Sequence, residues 1–260
     1  MLMFGCGNMA GAMAAGWIAA GVPGAAFHVV KPTKANLPEG AAYFASVADV
    51  PRQYDTLLIG IKPQMLPQMA EDIRALLAPN ALVISILGGV GSGALARYFP
   101  DARILRVMPN LAVSLGKSPL GLFGHGLSDA DGQDAAAWLS MLGTPHWMER
   151  EDDMHAFTAI AGCGPAYLYR FISAMARAGA ALGLNADQAA LLAKEMAEGA
   201  ALLAAGSPHD PDELANRVAS KGGSTAAGLS VLDQDNGMQR LITATLTAAR
   251  DRSVEQGKEG

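Results

Sequence analysis

The chain has 260 residues, just over half of them hydrophobic and 17% charged, with a net charge of −5. That is a globular composition, long enough for one large domain or two small ones, and its acidic balance suits neither nucleic acid nor an anionic membrane surface. The only cysteines, Cys6 and Cys163, form no CxxC pair, so no zinc or thioredoxin-type site is supported; two free thiols are expected, and the spacing leaves a disulfide between them open.

Residues 1–30 contain no Lys, Arg, Asp or Glu, which on charge alone resembles a membrane span. Recurrent glycines, Pro23 and the lack of a basic leader argue instead for a buried strand and helix. Short apolar runs then alternate with helical stretches. Strands are expected at residues 1–4, 26–31, 55–61, 81–87, 103–108 and 120–123, and helices at 9–20, 63–77, 93–98 and 130–142. Runs such as 56–61 are continuously apolar, as strands buried on both faces are. The alternation reads as an α/β domain over residues 1–150, with a doubly wound, mainly parallel sheet of Rossmann type. Beyond about residue 150 the strand signals stop. Ala-, Leu- and Met-rich stretches at 165–182 and 186–205, a helix opening at Asp210 and another from about 237 read as an all-α domain over 151–260. Ser128, Asn185 and Asp210 each carry a helix-start signal. Ala-rich helices bury little area each, which suits packing against a second subunit.

Gly5-Cys6-Gly7-Asn8-Met9-Ala10 follows the first strand and opens a helix. This is the GxGxxA dinucleotide pattern: a glycine for the tight turn, a second for close approach of backbone to pyrophosphate, and a small third residue for helix–strand packing. A plain Gly-rich turn is the competing reading. At the end of the second strand an NAD-specific site usually carries an acid. Here stand Lys31, Thr33 and Lys34, which suit a 2′-phosphate and favour NADPH, with NADH as the alternative; a solvated loop competes. Lys62, Pro63 and Gln64, and later Pro109 and Asn110, end strands at the edge that faces the ligand crevice. The five histidines fit no metal-ligand spacing, so no metal is expected; His155, near the change of pattern, draws attention, with packing as its ordinary role. Ser220, Gly222, Gly223, Ser224 and Thr225 precede an apolar helical run. Two glycines and three hydroxyls at a helix start make a cradle for a small carboxylate, and an ordinary capped helix is the simpler alternative.

Taken together, the sequence resembles the pyrroline-5-carboxylate reductases over nearly its whole length. The resemblance rests on the GxGNMA turn, Lys62-Pro63-Gln64, Met108-Pro109-Asn110, Gly162-Cys-Gly-Pro-Ala-Tyr167 and the Ser220 to Thr225 loop, in family order. It implies reduction of a small cyclic imino acid, 1-pyrroline-5-carboxylate, to L-proline, as the last step of proline biosynthesis, by a cytoplasmic homodimer that assembles further, commonly as decamers. It also implies that residues 220 and 222–225 hold the substrate, with Thr225 at the ring nitrogen and the cofactor on the partner subunit. Two departures stand out. The family usually has Pro-Asn-Thr-Pro where this chain has Pro109-Asn-Leu-Ala112, and usually Pro where this chain has Lys221. Another NADPH-dependent imine or β-hydroxyacid reductase, or a non-catalytic NADP-binding dimer, are the alternatives on this fold.

Overall fold

The structure is a computed structural model that describes residues 1–51 and 53–259; the expected end of the helical domain, residue 260, lies outside them. Packing divides the chain into a sheet unit, Met1–Cys163 joined by the chain end from Ala248, and a helical unit, Gly164–Thr247.

In the sheet unit β1 (Leu2–Phe4) lies between β2 (His28–Val30) and β4 (Tyr54–Ile59), with β3 (Ala42–Phe44) outside β2. Beyond β4 come β5 (Leu77–Ser85), β6 (Arg103–Met108), β7 (Ser118–His125) and β8 (Gly143–Trp147). All neighbours pair in parallel except β6 and β7. The period-2 alternation of side chains explains the continuously apolar runs. Met3, Leu58, Ile84 and Leu105 fill the core under α1 (Asn8–Ala19) and α4 (Asp129–Leu139). Their neighbours Leu2, Leu57, Val83 and Ile104 fill the opposite core, under α2 (Leu66–Ala75) and α3 (Ser92–Tyr98). Trp17 is fully buried between Phe27 and Trp138, with ring centroids 5.8 and 5.2 Å away.

Two strands, β3 and β8, lie beyond those the sequence suggests. The helix expected over 63–77 begins as a 3₁₀ turn, Pro63–Met65, continues as α2 and stops at Ala75. Leu77 instead pairs with Tyr54, and the register then shifts before Thr56 meets Leu82. The strand pattern ends near residue 150, yet packing keeps α5 (Asp153–Phe157) and the π-helical turn Thr158–Gly162 with the sheet unit.

The helical unit holds α6 (Gly164–Ala181), α7 (Ala186–Gly206), α8 (Pro211–Val218), α9 (Ser224–Asp233) and the first part of α10 (Gly237–Glu259). Asn185 accepts from the Asp187 and Gln188 amides and Asp210 from the Glu213 amide, as the cap signals lead one to expect. Within this unit only Ala189 and Ala193 are buried. No helix among the described residues is long and apolar enough to cross a membrane.

Candidate functional site

The strand order reverses at β1, so the crevice of this sheet opens beyond the carboxyl ends of β1 and β4. Gly5 turns there at φ +81°, and a side-chain carbon would stand 2.8 Å from Ile61 Cγ2 and 2.9 Å from the Gly60 oxygen. Only glycine fits that turn. Ala10 is 1% exposed, and a carbon on Gly60 would lie 2.8 Å from its Cβ, so the small residue lets α1 sit directly on the end of β4. Gly7 caps α1 with extended backbone; no side chain caps the helix and no acid stands in its first turn. Its leading amides are therefore left without a side-chain partner, as an anion site at a helix start requires. Asn8 is exposed beside them, whereas Met9 packs against the core.

An open cleft of about 910 Å³ adjoins this turn, with Gly7, Asn8, Lys31, Thr33 and Asn36 among its lining residues. Lys31 gives two hydrogen bonds to backbone oxygens, of Cys6 at 3.0 Å and Ala35 at 2.6 Å. It thus braces the β2 loop against the Gly-rich turn and offers its charge from there. Lys34 is turned over the Tyr43 ring, 5.4 Å from its centroid, and is not part of the cleft wall. Burial pushes the Cys6 thiol above its ordinary range, against the opposing Lys31 charge, and so favours the protonated form. The motif reading misses Asn36, at φ +54° in the cleft wall, and Gly60, which packs against Gly5 and Ala10. Gly60, between two isoleucines in an apolar run, was the available signal.

Lys62 is exposed and extended, and Pro63 opens the 3₁₀ turn behind it. Asn110 is 6% exposed, and the protein uses both ends of its side chain. Nδ2 donates to the Ala161 oxygen at 2.8 Å, and Oδ1 accepts from the Ala112 amide at 2.8 Å. Asn110, next to Pro109, thereby ties the end of β6 to the π-helical turn. Nearby, Arg106 and Glu151 pair at 2.7 Å, and Glu151 also accepts from the Ser92 amide and hydroxyl. Burial pushes the Glu151 carboxyl up, but the Ser92 hydrogen bonds and the Arg106 guanidinium outweigh it and hold it below the ordinary range.

In the helical unit the loop before α9 turns at Gly222, φ +73°. The Gly223 amide donates to the Ser220 oxygen at 2.9 Å. Gly223 is the cap of α9, and no side chain takes its first amides. An ordinary Ser/Thr cap is therefore not what this loop forms. Ser220, Lys221, Ser224 and Thr225 are all exposed around an uncapped helix start. Among the described residues no cluster of His, Cys, Asp or Glu suits a metal ion.

Comparison with known proteins bears directly on this pair of features. A pyrroline-5-carboxylate reductase of Pseudomonas aeruginosa is 33% identical over 98% of this chain and 96% of its own. This chain belongs to the pyrroline-5-carboxylate reductase family. A family model described as pyrroline-5-carboxylate reductase dimerisation matches residues 151–256, and one described as NADP oxidoreductase, coenzyme F420-dependent, matches 2–89. Among solved structures, a pyrroline-5-carboxylate reductase from Coxiella burnetii superposes with a TM-score of 0.89 at 27% identity, covering 98% of this chain and 97% of that one. A Plasmodium falciparum pyrroline carboxylate reductase with NADP bound gives 0.87 at 27%, with the same coverage. Against the family pattern, Ala112 supplies an N–H that proline lacks, and this N–H holds Asn110 Oδ1.

Proposed function

We propose that the protein reduces 1-pyrroline-5-carboxylate to L-proline, the last step of proline biosynthesis, with NADPH as the preferred donor and NADH as the alternative. The observation that carries the reading is the presence in one chain of a β1–α1 turn shaped for pyrophosphate and an uncapped, exposed helix start at residues 220–225. Residues 1–150 bind the dinucleotide, and 151–260 bind the substrate and a second subunit. Gly5, Gly7, Asn8, Met9 and Ala10 form the pyrophosphate turn. Lys31 and Thr33 meet the 2′-phosphate, Lys34 adds its charge from over the Tyr43 ring outside the cleft wall, and Lys62, Pro63, Gln64, Pro109 and Asn110 shape the far end of the crevice.

NADPH, when bound, supplies the hydride that adds to the imine carbon. The imine nitrogen takes one proton, and C=N becomes CH–NH. The Gly222 and Ser224 amides and the Ser220 and Ser224 hydroxyls hold the substrate carboxylate, and Gly223, whose amide is bonded to the Ser220 oxygen, keeps the turn tight. Thr225 hydrogen-bonds the ring nitrogen. Its hydroxyl is too weak an acid to protonate the imine outright, so it orients the ring and relays a proton. The unit of function is a homodimer, in which the loop of one copy serves the cofactor on the other; decamer assembly and a cytoplasmic location follow the family resemblance. The exposed apolar side chains of α6 and α7 support a partner subunit.

The test is NADPH oxidation by the purified protein with 1-pyrroline-5-carboxylate, beside 1-pyrroline-2-carboxylate and NADH controls. Turnover chiefly on the first imine is expected, and Thr225→Ala should lower kcat about 100-fold with NADPH binding intact. Tight NADPH binding without turnover on either imine would identify a non-catalytic dimer instead. Preference for another imine or a β-hydroxyacid would move the substrate and point to Leu111, Ala112 and Lys221.

A further inference from the structure

The turn after β5 sits in a ring of contacts that the reading above leaves unused. A side chain on Gly88 would meet open space, whereas one on Gly89, at φ +77°, would come within 3.0 Å of the Gln256 oxygen. Gln256 belongs to the end of α10, which packs with the sheet unit. Three residues earlier, Ser253 Oγ lies 2.9 Å from His155 Nδ1. Gly257 lets the helix close on that ring, since a carbon there would stand 3.3 Å from His155 Cε1. Four residues before His155, Glu151 holds the Ser92 amide and hydroxyl, just past the same turn. The ring closes as Gly89 on Gln256, Ser253 on His155, and Glu151 on Ser92. Beside it lies a cavity of about 230 Å³, with Pro63, Gln64, Gly88, Gly89, Arg252 and Gln256 in its wall.

Gly88 and Gly89 follow β5 as Pro63 and Gln64 follow β4, at the edge where such a sheet takes its ligand. We propose that the end of α10 is a positioning element for the cofactor: it backs the 88–89 turn so that the open Gly88 face meets the nicotinamide end of the dinucleotide. A Gly-Gly turn without backing loses much conformational freedom when a ligand orders it, which weakens binding. Ser253 and His155 are positioning residues that keep the backing in place. The inference rests on the dinucleotide reading given under the proposed function.

The experiment titrates the full-length protein with NADPH and, separately, with 2′,5′-ADP, which lacks the nicotinamide. Ser253→Val removes the His155 hydrogen bond and is expected to weaken NADPH about fivefold, leaving 2′,5′-ADP unchanged. Ser253→Thr, which keeps the hydroxyl, should restore the NADPH value, and Gly257→Leu, which drives α10 off the His155 ring, should weaken NADPH further than Ser253→Val. Equal weakening of both ligands, the signature of a damaged fold, overturns the inference; so does no change in either. If the unmodified protein binds neither ligand, the dinucleotide reading itself fails and takes the inference with it.

Discussion

The two units solve the problem of apolar surface in opposite ways. In the sheet unit each central strand sends alternate side chains into two cores, both covered by helices of the same unit. In the helical unit Leu168, Phe171 and Met175 on α6, and Leu192, Met196 and Leu203 on α7, are between 41% and 74% exposed. Their helical spacing marks stripes, not scattered surface residues. One sequence thus encodes a closed core and a set of helices whose apolar stripes lie open, the surface that the proposed homodimer would cover.

The comparison breaks most directly at α7. Met196→Asp places a charge in the proposed interface, where an uncompensated buried ion costs several kcal/mol. It should lower the mass seen by light scattering and abolish turnover, while NADPH binding by the sheet unit survives. Unchanged mass with full turnover would remove α7 from the interface. The sheet unit is tested by Gly16→Ala, because a carbon on Gly16 would stand 2.2 Å from the Val113 oxygen. Stability in urea should fall by about 1–3 kcal/mol with the oligomer mass unchanged. A smaller effect is expected from Lys31→Met, which frees the loop that Lys31 ties to the Gly-rich turn. NADPH should bind about five- to tenfold more weakly, and Lys34→Ala, directed at the lysine over Tyr43, should do less. The smallest effect is in acid. Glu151 has its pKa depressed in the folded state, so its contribution is full above its ordinary value of 4.5 and is lost as pH falls through the lower folded value. Glu151→Gln should lack that acid-dependent loss, seen as a flatter stability curve below pH 4.5; parallel curves would discard it.

Legibility followed the same division. Central strands were readable because burial on both faces demands continuous apolar runs, and β6 falls on the expected residues 103–108. The edge strands β3 and β8 were not. Each has one open edge, and β8 carries Pro145 and His146 in a half-exposed run that satisfies no strand pattern. The fingerprint was legible because three small residues in six positions answer a local steric demand. The place of Asn110 at a strand end is legible, but the bonds of its side chain to Ala112 and Ala161 are not, since nothing in the sequence reports a bond across fifty-one residues.

By itself the sequence determined the α/β-then-α order, the dinucleotide turn, the helix caps and the family, since each depends on neighbours a few residues apart or on a motif in order. Only the tertiary structure decided that Lys31 braces the turn, that Glu151 holds the start of α3, and that the end of α10 returns to Gly89. Those contacts join residues distant in the chain, and their geometry exists only after the strands have chosen their order.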